Sequence, residues 1–182
     1  ETIVNNESAE LVRIFNSGFE ELADSSHDYS PESLRQEIDQ WNEKIYHNVN
    51  NGVYKTGFAR TQEAYERNFC ALFETLDELE RHLVDREYLV EETLTEADIR
   101  LFTTLIRFDA VYYSHFKCNW KRIADYPGLR DFTARLYRMP EIRATVNFDH
   151  IKTHYYGSHE TLNPLRIIPK GPELDYLKTE AD

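Results

Sequence analysis

The sequence contains little glycine, proline and cysteine, and it lacks both an excess of positive charge and a long apolar run. With 6 Gly and 6 Pro in 182 residues, it has few of the turn residues that an all-β fold needs. The formal net charge of −12 argues against nucleic-acid binding, because no basic surface would face the phosphates. No stretch approaches the roughly 20 apolar residues of a membrane span. We therefore expect a soluble protein that is mainly helical and has neither nucleic acid nor a membrane as a partner.

The N-terminal residues and the cysteines indicate where such a protein would work. Residues 1–6 include neither a basic nor an apolar segment, so they do not form a secretion signal. Cys70 and Cys118 are isolated and lack a metal-binding spacing. Both features favour a reducing, cytoplasmic location. Because the sequence does not begin with Met, we expect it to start inside a longer polypeptide.

Apolar residues recur at helical spacing along most of the chain, which predicts an all-α fold. Ser8 is a good N-cap for a first helix over residues 8–22, and the polar residues 23–30 are typical of a linker. Pro31 suits the first turn of a second helix. Residues 48–58 interrupt the pattern, and we expect a bend or a short irregular segment there.

Two later helices have clear start signals. Thr61 is expected to cap a long amphipathic helix with Cys70 on its apolar side. Thr95 and Asp98 form a variant of the capping box, in which hydroxyl and carboxylate bind free N–H groups of the first turn. The helix that follows is apolar around most of its circumference, so it should be buried at the centre of the fold.

The first candidate site is the turn at residues 2–8. Residues 2–4 have the pattern of the end of a strand, and the chain passes directly into the first helix. The free N–H groups and the Ser8 hydroxyl would bind a carboxylate, and Glu7 would pair with an ammonium group. This combination suits the head group of an α-amino acid. An ordinary capped helix is the alternative.

Tyrosines form the second candidate site: Tyr54, Tyr112, Tyr113, Tyr155 and Tyr156. A phenol can donate a hydrogen bond to a developing oxyanion, and aromatic faces suit a flat aromatic substrate. The alternative is that they are structural, as most of the 12 tyrosines must be.

Histidine and cysteine provide no convincing catalytic centre. His150, His154 and His159 lie close in sequence, but no HExxH motif or nearby Cys ligand accompanies them, so we expect no metal site. Lys117 could lower the pKa of Cys118, yet no base or helix N-terminus adjoins that thiol in the sequence.

Several of these residues lie in blocks that match one protein family in the same order from end to end of the chain. The blocks span residues 5–10, 50–59, 94–102, 115–119, 147–152 and 154–159. Together they resemble the glutathionyl-hydroquinone reductases, the Xi class of glutathione transferases.

The resemblance implies a domain division and an assembly. Residues 1–22 would end a thioredoxin-like, glutathione-binding domain, 23–30 would be the linker, and 31–182 would form the helical domain with a C-terminal tail. The family's nucleophile lies in a Cys-Pro motif of the thioredoxin-like domain, and this sequence has no such motif. The chain alone should therefore be inactive, whereas the intact protein should be an enzyme and a homodimer.

The resemblance also implies a reaction and its residues. Members remove glutathione from glutathionyl-hydroquinones, with glutathione itself as co-substrate and no metal. Glu7 and Ser8 would bind the γ-glutamyl head of glutathione. Tyr54 would handle the quinol, with Tyr155 or Tyr156 as the second partner and Tyr112 as a third candidate. Ala110 replaces a proline that is frequent in the family, which weakens the assignment of Tyr112 most.

Two other functions remain open. A thiol transferase of the Omega type would reduce mixed disulfides without needing the tyrosines. A non-catalytic interaction module would leave the tyrosines scattered and would expose an apolar face.

Overall fold

The computed structural model describes residues 7–19, 22 and 27–178, and within these ranges the chain is helical and contains no β-strand. The α-helices of this part are α1 (Ser8–Ser17), α2 (Arg35–Ile45), α3 (Asn51–Gly57), α4 (Gln62–Leu83), α5 (Glu96–Arg107), α6 (Tyr113–His115), α7 (Pro127–Arg138), α8 (Pro140–Arg143) and α9 (Phe148–Ser158). Two π-helical segments and two short 3-10 turns complete it: Tyr46–Asn50, Phe108–Tyr112, Ile123–Asp125 and Asp175–Leu177. The all-α prediction is confirmed. The strand predicted at residues 2–4 lies outside the described residues.

The first two helices begin and end at other residues than predicted. Glu7 occupies the N-cap position of α1 with extended backbone angles, and Ser8 is the first helical residue. Because α1 ends at Ser17, it is shorter than the helix predicted over residues 8–22. Pro31 opens a turn, with its carbonyl 3.0 Å from the Leu34 N–H, so α2 begins later than predicted. The predicted linker lies partly outside the described residues, and the domain division stays a prediction.

The irregular segment predicted at residues 48–58 is wrong. The helix continues from α2 through the π-helical segment Tyr46–Asn50 into α3. The Asn51 N–H bonds to the carbonyl of Tyr46, five residues earlier, which inserts one extra residue into the turn. This insertion breaks the 3.6-residue pattern without ending the helix. As a result Val53 is buried, whereas Tyr54 is 39% exposed.

The hydrophobic core lies between α2, α3, α4, α5 and α7. Leu72, Leu76 and Leu79 of α4 are fully buried at helical spacing, as predicted. The Thr61 hydroxyl accepts a hydrogen bond from the Ala64 N–H at 3.2 Å, which confirms the predicted cap of α4. Helix α5 packs against both α2 and α7, and its apolar face carries buried Leu101. The central position predicted for this helix is confirmed.

The capping box of α5 also fastens the preceding loop to the core. One oxygen of the Asp98 carboxylate accepts hydrogen bonds from the Thr95 N–H and hydroxyl, both at 2.8 Å. The other oxygen accepts the Leu89 N–H at 2.8 Å. Burial raises the pKa of Asp98, and these donors oppose that effect. The box therefore fixes the register of α5, from which the tyrosine-bearing segment follows.

The chain leaves α5 through the second π-helical segment, Phe108–Tyr112, and helix α9 packs against that segment. Residues 148–158 form α9. The Asn147 side chain caps it by accepting the His150 N–H at 2.9 Å. This packing brings Tyr155 next to Tyr112. Among the described helices, none combines the length and apolarity needed to cross a membrane.

Candidate active site

Three tyrosine hydroxyl groups form a hydrogen-bonded row. The hydroxyl oxygen of Tyr155 lies 2.6 Å from that of Tyr54 and 2.8 Å from that of Tyr112. Each residue comes from a different helical segment: α3, α9 and the second π-helical segment. Since Tyr155 has one proton, it can donate to only one of its two neighbours and must accept from at least one of them. The three phenols therefore form one connected proton chain.

The row has one buried end and one open end. Tyr112 is 3% exposed and Tyr155 is 7% exposed, whereas Tyr54 is 39% exposed. Burial, followed by the hydrogen bond to Tyr155, raises the pKa of Tyr54 to about 12. Burial also raises the pKa of Tyr112. Near neutral pH these two phenols carry their protons, so they can donate hydrogen bonds or a proton but do not act as bases.

Tyr156 belongs to a different set of contacts. Its hydroxyl lies 2.5 Å from Oγ of Ser114 and 3.3 Å from the carbonyl oxygen of Ala110. Of the two adjacent candidates in α9, Tyr155 therefore joins the row and Tyr156 does not. Ala110, whose presence cast doubt on Tyr112, leaves Tyr112 within the row.

Aromatic rings that the sequence did not single out surround the row. The ring of Phe116 lies 5.2 Å from that of Tyr54 and 5.3 Å from that of Tyr112, between centroids. Phe58 is 42% exposed, and its ring lies nearly parallel to that of Tyr54, with centroids 6.4 Å apart. A Cβ on Gly57 would lie 2.4 Å from Cγ of Phe116, so this glycine allows the close approach of the ring. Gly57 and Phe58 lie in block 50–59, which matches the family, and this match was the one sequence signal that could have pointed to them.

A histidine pair lies beside these rings. Nε2 of His115 lies 3.2 Å from Nδ1 of His159, and the ring of His159 is 5.6 Å from that of Tyr155. Burial lowers the pKa of both histidines, which favours their neutral forms. His150 and His154 are exposed. In the described ranges, no three His, Cys, Asp or Glu side chains are grouped so that they could hold a metal ion.

The cysteines differ from their predicted environments. Cys70 is exposed, so its predicted place on the apolar side of α4 is wrong. Cys118 is buried, and burial raises the pKa of its thiol instead of Lys117 lowering it. A buried thiol with a raised pKa forms little thiolate and is a poor nucleophile.

The predicted amino-acid site lies at the start of α1. Glu7 and Ser8 are both exposed, and the carbonyl of Glu7 accepts the Glu10 and Leu11 N–H groups at 3.0 and 2.9 Å. The N–H groups of the first helical residues, including Ser8, have no carbonyl partner within the helix. Such a helix end can bind a carboxylate, with the Glu7 carboxylate nearby for an ammonium group.

One groove of the described chain is lined by neither candidate site. This wide groove of about 1290 Å³ lies between α5 and the segment from α8 to α9. Arg107, Ile151 and His150 are among its lining residues, and none of the five candidate tyrosines lines it. Neither Glu7 nor Ser8 lines it either.

The fold and the helical segment that carries the site match a known domain. Residues 62–135 match the family model described as the C-terminal domain of glutathione S-transferase. This part of the chain therefore carries the helical C-terminal domain of the glutathione S-transferases, and the chain as a whole is similar to members of that family.

Within that family the similarity is to the Xi class, the glutathionyl-hydroquinone reductases. The chain is 55% identical over 170 residues to glutathionyl-hydroquinone reductase PcpF of Sphingobium chlorophenolicum, covering 93% of this chain and 54% of that protein. It superposes on the glutathione-bound structure of YqjG, a glutathione transferase homolog from Escherichia coli K-12, with a TM-score of 0.93 and 52% identity, covering 97% of this chain and 57% of that one. Glutathione S-transferase omega-like 2 of Schizosaccharomyces pombe is 49% identical over 179 residues, covering 94% of this chain and 57% of that protein. The chain thus spans about half the length of the curated relatives it matches.

Proposed function

We propose that this chain is the quinol-handling part of a glutathione-dependent reductase that acts on glutathionyl-hydroquinones. The reaction would convert glutathione and the conjugate into glutathione disulfide and free hydroquinone. The observation that carries this proposal is the row of three hydroxyl groups, with Tyr54 at its exposed end. Two curated relatives, 55% and 53% identical to this chain over aligned stretches of 170 and 174 residues, are named as glutathionyl-hydroquinone reductases, which supports it.

The row suits a reaction in which an aromatic ring loses a sulfur substituent. The ring carbon that loses sulfur must gain a proton, and the quinol oxygens need hydrogen-bond partners as their charge changes. Tyr54 would donate from the exposed end, because its raised pKa keeps it protonated. After the transfer, the Tyr54 oxygen would have to accept the proton of the Tyr155 hydroxyl, and Tyr155 would in turn accept from Tyr112. General acid catalysis of this kind typically contributes 10²–10⁴-fold to a rate.

Phe58 would bind the aromatic ring of the substrate. Its ring and that of Tyr54 are inclined by only 7°, and both residues are partly exposed. Offset stacking on such a surface contributes about 0.5–1.5 kcal/mol beyond the burial of area. The quinol ring would then lie within reach of the Tyr54 hydroxyl.

Glu7 and Ser8 would bind the co-substrate. The γ-glutamyl head of glutathione carries a carboxylate and an ammonium group, which fit the start of α1 and the Glu7 carboxylate respectively. We further propose that residues 1–22 belong to a thioredoxin-like domain, 23–30 to a linker and 31–182 to the helical domain. The intact protein would be a homodimer.

The nucleophilic thiol would come from outside these residues. Cys118 is buried with a raised pKa, and Cys70 is exposed on α4. Neither thiol lies in the row of hydroxyl groups. We therefore expect the 182-residue chain alone to be inactive, and measurable turnover by this chain would contradict that part of the proposal.

The test is to measure hydroquinone release by the full-length gene product and by its Tyr54→Phe variant. We expect the variant to lose about 100-fold in kcat, the lower end of the range for a general acid. Tyr46→Phe is the matched control, because Tyr46 is also exposed but contacts His47 instead of the row. An unchanged rate in Tyr54→Phe would refute the role of the tyrosines even if the reaction itself occurs.

A thiol transferase of the Omega type is the second candidate, favoured by the name of the Schizosaccharomyces pombe relative. It would reduce mixed disulfides, and its leaving group is a thiolate that needs no phenol. Rapid reduction of mixed disulfides without hydroquinone release would favour it. A non-catalytic interaction module would show neither activity.

A further inference from the structure

Helix α1 is hydrogen-bonded to the rest of the chain through polar side chains. None of its residues is buried, although its N-terminus carries the proposed glutathione anchor. Asn16 bonds Oδ1 of Asp28 at 2.7 Å and accepts the Tyr29 N–H at 2.8 Å. Arg13, one turn earlier, reaches into the helical core.

Arg13 binds a carboxylate that is almost completely buried. Glu96, the first residue of α5, is 1% exposed. Its Oε1 lies 2.6 Å from Nη2 and 3.1 Å from Nε of Arg13, so two donors of the guanidinium reach one carboxylate. Asn42 of α2 donates to the same oxygen at 2.7 Å. On its outer side, Arg13 also pairs with Asp39.

The burial of Glu96 makes this contact specific. A buried carboxylate is costly unless it is paired and hydrogen-bonded, and Asn42 alone supplies no charge. The guanidinium is planar and presents its donors in a fixed fork, so it binds with little freedom of orientation. Because Arg13 lies one residue from the middle of α1, this contact fixes the position of the helix against the start of α5. The Glu7 end lies roughly 9 Å away along the helix axis, at about 1.5 Å per residue.

We propose that Arg13 is a positioning residue: by docking α1 on the buried Glu96 carboxylate, it sets where the glutathione anchor lies relative to the tyrosine row. This inference rests on the proposed function, which assigns the anchor to Glu7 and Ser8. The capping-box motif at residues 95–98 thus has a second role, since Glu96 between the two capping residues holds α1.

The test measures glutathione binding and turnover separately in the full-length gene product. Reduced glutathione is titrated by calorimetry into the wild type, Arg13→Ala and Arg13→Lys, and kcat is measured at saturating glutathione. We expect Arg13→Ala to raise the Kd and KM for glutathione about tenfold while kcat changes less than threefold. Arg13→Lys should recover part of the affinity, because it restores the charge opposite Glu96 but not the fork. Arg130→Ala is the control, since Arg130 pairs with its exposed neighbour Asp131 on α7.

A double variant separates positioning from a general loss of stability. If Arg13 acts through Glu96, Arg13→Ala combined with Glu96→Gln should bind glutathione no more weakly than the worse single variant. Wild-type affinity in Arg13→Ala, or fully additive losses, would overturn the inference. If Arg13→Ala does not fold, the Glu96→Gln variant tests the inference instead, because its side chain keeps an acceptor for Asn42. Wild-type affinity for glutathione in Glu96→Gln would also overturn the inference.

Failure of the proposed function gives a different result. A wild type that binds glutathione but releases no hydroquinone would refute the reductase reaction, and the Arg13 measurements would still stand. A wild type that does not bind glutathione would refute the anchor, and with it this inference. A wild type that is active, with Arg13→Ala indistinguishable from it, would refute only the role of Arg13.

Discussion

Tyr155→Phe removes the hydroxyl that joins the other two tyrosines. The two hydrogen bonds of 2.6 and 2.8 Å are lost together. Tyr54 is 39% exposed and can bond to water instead, whereas Tyr112 is 3% exposed and is left with an unpaired buried hydroxyl. An unpaired buried group costs about 1–3 kcal/mol, and a net hydrogen bond contributes about 1 kcal/mol. We therefore expect a loss of roughly 2–3 kcal/mol in the free energy of unfolding.

The assay is thermal unfolding of Tyr155→Phe beside Tyr54→Phe and Tyr112→Phe. For a protein of this size, about 1 kcal/mol shifts the melting temperature by roughly 2–4 °C, so we expect about 5–10 °C for Tyr155→Phe. Each of the other two should lose only about half as much, since Tyr155 keeps one partner. The combination of Tyr112→Phe with Tyr155→Phe should be no less stable than Tyr155→Phe alone, because it removes the orphaned hydroxyl. Equal shifts in the three single variants would refute the central position of Tyr155.

Two further variants test the surroundings of the row. Gly57→Ala places a Cβ 2.4 Å from Cγ of Phe116, so the ring must move, and we expect the free energy of unfolding to fall by about 1–3 kcal/mol. The control is Gly157→Ala, whose Cβ meets nothing within 4 Å and should not destabilise the protein. Equal melting temperatures for the two variants would contradict this prediction. Burial lowers the pKa of His115 below its usual value near 6.5, so the unfolded chain binds more protons and stability should fall as the pH drops below about 6.5. His115→Asn should flatten this dependence in thermal unfolding between pH 7.5 and 5, whereas the same change at exposed His150 should not; equal slopes in both variants would argue against it.

The helical class and the strongest start signals could be predicted from the sequence because they depend on local pattern. Thr95 and Asp98 lie three residues apart, and that spacing at the start of a helix is the local signature of a capping box. The long apolar face of α4 is similarly local. The π-helical turn at Tyr46–Asn50 could not be predicted this way. Its one inserted residue rotates the apolar face of the residues that follow, so the apolar pattern breaks as it does at the end of a helix.

The candidate site was only partly predictable. The resemblance indicated Tyr54 and either Tyr155 or Tyr156, but neighbouring residues on a helix point about 100° apart. Which of them faces the row depends on the rotation of α9 against the second π-helical segment, which is a property of packing. The contact between Arg13 and Glu96 joins residues 83 positions apart, and no spacing rule reveals such a pair.

The most direct test of the proposed function compares two substrates for the full-length gene product. The kcat/KM for hydroquinone release from a glutathionyl-hydroquinone is measured beside that for reduction of a glutathione mixed disulfide, in the wild type and in Tyr54→Phe. We predict that the wild type favours the glutathionyl-hydroquinone and that Tyr54→Phe lowers only that activity, because only the quinol needs the phenol. Turnover of the mixed disulfide alone, unchanged in Tyr54→Phe, would contradict the proposed function.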